Sequence, residues 1–534
     1  MKTLAAGCLI LLLSGCVATQ HIKESTSPSL DERFDLIRND TPALINFLDK
    51  FPKGGDLHNH ASGAAYIEFG VIEAARRGYL YDLIRYEIIK DGAVNEYSGE
   101  SKSRPKSICK WWMKEYSCLI TVKDLLGNNL EFQKFLDVVS VRGWYKNTTN
   151  GQDHFFNAFN HASVPDTTIQ YLAEIIARNH SQGVRYVEIM TSSVDKNIVS
   201  ILSQILPESE FDSTDMSKNY TPAFESYLQS KAFESAIKRD MDERALEVDA
   251  VLRKDYGITI LGEHPDIVVR YIPQLHRLKS LYNIYINTAA NLKASKIDNR
   301  IVATNMVQNE AGIESLINFK SQMEILDFFW NKLGQPNIAL HAGELVLQES
   351  PLEPMRNRIS QSIEVGHASR IGHGVSIAWE ADTEGTLAMM KRRGIAVEIC
   401  LSSNEVILGI SGNDHPIAMY KAAGVPITLA TDDEGISRSN LSMEYVKAAQ
   451  EHNLSYSFLK EIARNALKYS FVEGDGIYGS DGLVLSKYRN TLSVMPSITE
   501  VGARAYLQIR FEQDMQNFED KMTSLSGSVA TLTK

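Results

Sequence analysis

The sequence predicts an α/β fold, a closed (β/α)8 TIM barrel with a helical insertion after the first strand, and three observations carry that prediction. Eight short apolar runs recur along the chain, charged helix-periodic stretches separate them, and histidines and carboxylates stand at the C-terminal ends of the runs. Buried strands alternating with amphipathic helices imply a parallel sheet, and eight such units suffice to close one. A doubly wound open sheet is the competing architecture.

The 534 residues are 44% hydrophobic, enough for a large core, and 55 basic against 66 acidic side chains leave a formal charge of -11. That balance disfavours nucleic acid or an anionic lipid surface as the dominant partner. At the N-terminus Lys2 precedes the apolar run Leu4 to Leu13 and then Ser14-Gly15-Cys16, a secretory signal too short to span a bilayer. Its ending resembles the lipobox of bacterial lipoproteins; an ordinary signal peptide that carries a cysteine is the alternative. The lipobox resemblance implies a signal peptide over 1–15, acylation of Cys16, a tether over 16–40 and export to a bacterial membrane, facing the periplasm or exterior. The barrel then occupies 41–500 and a C-terminal helical extension 501–534. In an oxidising compartment Cys109 and Cys118 can close a small disulfide loop, whereas Cys400, inside an apolar run, reads as an inert core thiol.

Taken in order, Thr41 to Phe51 predicts a short amphipathic helix, and the stretch from Pro52 to His60 follows as the first strand. Residues two apart in a strand share a face, so His58 and His60 converge, either as metal ligands or as two unrelated surface histidines. The segment 61–182 far exceeds the dozen or so residues a crossover needs, which predicts an inserted helical cap. Trp111, Trp112, Trp144, Tyr145, Phe155 and Phe156 supply its apolar bulk. Further strands are expected at 183–190, 266–271, 300–307, 337–341, 370–375, 395–401 and 426–431, with the clearest helices over 230–254 and 314–333. Ala503 to Met522 reads as a docking helix with a solvated face.

Catalytic groups of such a barrel stand at the C-terminal strand ends. Those ends carry His58 and His60 on the first strand, His341 with Glu344 on the fifth, His373 on the sixth, and Asp432 with Asp433 on the eighth. Three imidazoles and a carboxylate suit Zn²⁺ with one position left open, so His58, His60, His341 and Asp432 are the expected ligands of one ion per chain. Glu344 and His373 then form an acid/base pair beside it. Asp433 offers a substrate hydrogen bond or supports Asp432. His154, His161, His367 and His415 lack a partner pattern and read as structural.

Pro52-Lys53 with His58-Asn59-His60 and Gly63, His341-Ala342-Gly343-Glu344, Arg370-Ile371-Gly372-His373-Gly374, Ser402-Ser403-Asn404 and Thr431-Asp432-Asp433 together resemble the adenosine deaminase family. The secretion signal and long first insertion are more similar to its extracellular, growth-factor-like branch. The resemblance implies hydrolytic deamination of adenosine or 2'-deoxyadenosine to inosine and ammonia. In it Glu344 protonates N1, His373 orients the attacking zinc-activated hydroxide and takes its proton, and Asp433 bridges to N7. It places Asp433, Ser62, Gln308 and Gly343 in substrate binding. Two positions depart from the family pattern: Ser62 stands where an Asp commonly binds the ribose, and Gln308 where a Gly commonly faces the purine. They motivate the alternative of another aminopurine or ring amidine at the same metal site. A purine-binding or signalling protein on the same fold is the non-enzymatic alternative.

Overall fold

Eight parallel strands form where the apolar runs predict them: β1 Gly54–His60, β2 Val184–Thr191, β3 Val268–His276, β4 Asn305–Val307, β5 Ala339–Ala342, β6 Arg370–His373, β7 Ala396–Ile399 and β8 Ile427–Leu429. The computed structural model describes residues 29–90, 119–146, 150–192, 194–479 and 482–529. The signal peptide, Cys16, Cys109, Cys118, Trp111 and Trp112 lie outside the described residues. Among those described, no helix is long and apolar enough to cross a membrane.

The strands pair in two sheets of four, β1-β2-β3-β4 and β5-β6-β7-β8, in chain order around the ring. Two parallel bridges join the sheets, Thr304 to Ile338 at one seam and Asn59 to Asp432 at the other. At the second seam the His60 N–H donates to the Asp432 carbonyl at 3.0 Å, and the Asp432 N–H donates to the His58 carbonyl at 2.8 Å. The ring is therefore closed, which removes the open-sheet alternative, and it closes through residues expected to be ligands.

Helices cover the outside of the ring, among them Lys231–Asp255, Leu281–Ser295 and Ile313–Lys332. Strand residues such as Val187, Ile189, Leu340 and Ile371 are buried against them, so each strand is apolar outward and free to carry polar groups inward. Inside the barrel Arg370 bridges Glu188 and Glu398, and all three are almost wholly buried. Removing one partner from such a network costs about 3–5 kcal/mol, because it strands an uncompensated charge.

Three expectations need correction. The segment between β1 and the helix Thr168–Ser181 is not purely helical: Leu80–Asp82, Glu87–Ile89 and Leu119–Thr121 form a three-stranded antiparallel sheet. Tyr81 and Ile88 from that sheet pack with Val71 and Phe135 into a satellite core of the cap. Tyr145, expected to add apolar bulk, is 61% exposed, while Phe155 is buried and Trp144 half-buried beside Val406 and Ile407. Part of the stretch 16–40, expected as a tether, is helical instead. Ser29 caps a helix over Leu30–Ile37 through a reciprocal bond with Glu32, and Phe34 is buried beside Phe47 and Tyr456. The C-terminal helix Ala503–Val529 buries Tyr506, Phe511 and Phe518 against the barrel.

Candidate active site

At the mouth of the barrel the inward faces of β1 and β5 and the turn after β8 bring His58, His60, His341 and Asp432 together. The Nε2 atoms of His58 and His60 lie 3.1 and 3.2 Å from that of His341. Asp432 Oδ1 is 3.5 Å from His58 Nε2 and 3.2 Å from His60 Nε2. Four ligands about 2.0–2.1 Å from one zinc ion stand roughly 3.3 Å apart at the corners of a tetrahedron, so these four atoms fit a single Zn²⁺.

The far side of each ligand is held by a neighbour. His58 Nδ1 pairs with Glu398 Oε2 at 2.7 Å, His341 Nδ1 with Asn305 Oδ1 at 2.8 Å, and His60 Nδ1 with the Gln274 amide at 2.9 Å. Ser403 donates to Asp432 Oδ2 at 2.6 Å. Outer partners of this kind fix the ring orientation and present Nε2 to a metal. Glu398, Gln274 and Asn305 escape the motif reading. Glu398 alone carries a usable sequence signal, a carboxylate inside a wholly apolar strand, which demands a buried partner.

The electrostatics suit a cation. Burial pulls the His341 imidazole well below its usual value, with the charge on His58 adding to it, and burial lowers His60 as well. Burial opposes the charge on Asp432 too, but hydrogen bonds from His58 and His60 win and hold its carboxyl well below the usual range. His58 is the exception: burial lowers it, yet Asp432 and Glu398 prevail and raise it to about 10. The two carboxylates thus favour positive charge at His58, whether a proton or a metal ion supplies it.

Glu344, His373 and Asp433 line the same cavity as His60, His341 and Asp432, a space of about 620 Å³. Burial raises the Glu344 carboxyl well above its ordinary value, and the negative charges of Asp432 and Glu310 add to the rise. Asp433 is raised for the same reasons, burial first and Asp432 second. Burial lowers His373 to about 3, so its ring is neutral near pH 7. The Asn404 amide donates to His373 Nδ1 at 3.0 Å, and His415 Nε2 bonds Asn404 Oδ1 at 3.1 Å. His415, expected to be merely structural, therefore stands two hydrogen bonds behind His373. Gly63 is explained as well, since a Cβ there would sit 1.9 Å from Asp433 Oδ1.

The proposed substrate contacts divide. Ser62 lines the cavity and also a second space of about 550 Å³ beyond it. Gln308 lines the cavity with φ 81°, a left-handed conformation that suits the family's glycine better than a side chain. Its side-chain oxygen is tied back by the Leu278 N–H at 3.2 Å. Gly343 makes no approach to the cavity. Its N–H donates to Glu310 at 3.2 Å and its carbonyl accepts from the Ser376 N–H at 2.8 Å, so both of its peptide groups have partners within the protein. Phe155, Phe156 and Phe159, at the helix Gly151–Ala158 and its C-terminal end, form the cavity's aromatic roof.

Comparison with known proteins fits this geometry. The adenosine deaminase family model matches residues 219–478. Adenosine deaminase from Plasmodium knowlesi is 30% identical over 132 residues, 24% of this chain and 34% of that protein. Adenine deaminase from Rhizobium leguminosarum is 32% identical over 115 residues, 21% of this chain and 32% of that protein. The chain thus spans about a third of the length of these curated relatives. An Arabidopsis N6-mAMP deaminase structure is 19% identical with a TM-score of 0.48, covering 80% of this chain and 96% of that one. The segment matched by the family model, just under half of the chain, holds His341, Glu344, His373 and Asp432.

Proposed function

We propose that this protein hydrolyses the exocyclic C6–N bond of an aminopurine nucleoside, converting adenosine or 2'-deoxyadenosine to inosine and ammonia with one zinc ion per chain. The observation that carries the reading is the buried Glu344 carboxyl, its proton affinity raised by burial, beside a four-ligand cluster in one cavity. A bound zinc ion would supply Lewis-acid chemistry that makes a nucleophilic water available near neutral pH. Glu344 delivers its proton to ring N1, which renders C6 electrophilic without building a ring anion. His373, neutral and anchored through Asn404, orients the attacking water and receives its proton. Asp433, with its raised carboxyl, donates to N7 and keeps the ring in register. One water is consumed and one ammonia released. The signal-like N-terminus and Cys16 support action outside the cytoplasm on a lipid anchor.

The second cavity favours a variant of this reading. Asp240, Glu243, Arg244 and Glu247 lie on its wall, with Arg244 engaged by Asp240 at 3.1 Å, so the wall carries three carboxylates against one guanidinium. This lining disfavours a phosphate and leaves room for a substituent larger than ribose, so other aminopurine nucleosides are the second reading, and the adenine deaminase relative makes free adenine a third arm of the assay. The test is loss of purine absorbance with adenosine, AMP and adenine, on protein lacking the residues before Val17, before and after chelation. Chelator-sensitive conversion of adenosine with little turnover of AMP is the expected result. Metal binding without turnover of any of the three would remove the substrate reading.

A further inference from the structure

Glu344 needs a fixed direction to protonate a ring nitrogen, and its Oε1 is buried without a hydrogen-bond partner, the nearest charged group being His373 Nδ1 at 3.7 Å. The backbone of the turn after β5 sets where that carboxyl starts. That turn rests on one side chain. Glu310 Oε1 accepts the Gly343 N–H at 3.2 Å and Glu310 Oε2 accepts the Glu344 N–H at 2.7 Å, so both oxygens of a single carboxylate seat two successive peptide groups. Gly343 has φ 81°, and a Cβ there would lie 2.8 Å from Ser376 Oγ and 2.9 Å from Ile359, so the turn admits glycine and little else.

Glu310 is itself clamped. Arg358 Nε is 3.2 Å and Arg277 Nη1 3.5 Å from Glu310 Oε1, and all three side chains are at most 2% exposed. Arg277 also donates to the carbonyls of Met306 at 2.7 Å and His341 at 2.9 Å, tying the clamp to the ends of β4 and β5. The Arg358 guanidinium stacks 4.0 Å from the Phe319 ring centroid. A buried carboxylate between two buried guanidiniums is rigid, because any movement would expose an unpaired charge to a low-dielectric interior.

We infer that Glu310, held by Arg277 and Arg358, is a positioning residue that sets the direction of Glu344; the inference rests on the deaminase reading given above. Glu310→Gln keeps the shape but turns an N–H₂ group toward one of the two peptide N–H groups, so the seat is half lost. The expected result is a fall in kcat of about 10- to 100-fold, with KM, inosine inhibition and zinc content within about twofold of the parent. In a Glu344→Gln background the same substitution should cost less than about threefold, since the residue it positions has already lost its function. An equal loss in both backgrounds, or a loss that follows zinc content, would overturn the inference. Should Glu310→Gln not accumulate, Arg358→Met loosens the clamp while preserving contact with Phe319, and a severalfold fall in kcat at constant KM is expected; unchanged kcat would count against it. Crystal structures of the parent and Glu310→Gln proteins decide independently of activity. A displaced Glu344 carboxyl with His341 unmoved supports the positioning role even if no purine is turned over, and an unmoved Glu344 ends it.

Discussion

The ligand cluster and the acid/base group share one cavity, yet they are finished differently. Each ligand has its outer atom engaged, His58 by Glu398, His60 by Gln274, His341 by Asn305 and Asp432 by Ser403. Each acid/base residue keeps a buried atom without a partner: Oε1 of Glu344, Nε2 of His373 and Oδ1 of Asp433. All three residues line the same cavity, so a purine bound there can pair with these atoms. The protein completes the cradle and leaves the reacting face for the substrate to complete.

Substitutions on the two sides should therefore fail in different ways. His341→Ala or chelation removes the cradle and should abolish turnover, with the purified variant carrying little zinc by elemental analysis. If the variant retained zinc and activity, the ligand assignment would fall. Glu344→Gln should retain zinc yet lower kcat by about 10²–10⁴, the range of a general acid. The parent should also lose activity as pH rises, since burial and neighbouring charge place the Glu344 carboxyl well above its usual range and only its protonated form donates. Its alkaline limb, absent in Glu344→Gln, would be seen in kcat/KM against pH.

Glu398→Gln tests the outer layer of the cradle. It should weaken zinc affinity about 10- to 100-fold by competition against a chromogenic chelator. It should also cost about 3 kcal/mol of stability, because Arg370 loses one of its two buried partners. The smallest effect belongs to the substrate side. Ser62→Asp restores the carboxylate common in the family and should lower KM for adenosine about fivefold, a gain of about 1 kcal/mol from a charge-assisted hydrogen bond. An unchanged KM would place the sugar away from Ser62.

Legibility from sequence followed the same division. His58, His60, His341 and Asp432 were readable because strand periodicity puts alternate residues on one face and barrel closure puts strand ends in one place. The partners that orient them were not, because Glu398 is 340 residues from His58 and Gln274 is 214 from His60. Gly343 shows a different limit. A motif match suggested a substrate contact, whereas its peptide groups are spent on Glu310 and Ser376. The insertion was harder still, since runs of three residues such as Leu80–Asp82 are too short for any period to declare itself.

What the sequence determined by itself is the set of repeating local choices: eight buried strands, the helices between them, and chemically reactive residues at the strand ends. Only the tertiary structure decided which distant side chains meet behind those residues. Periodicity is a local property of the chain, whereas the seat of Glu344 on Glu310, or of His58 on Glu398, exists only once the ring has closed and water has been excluded.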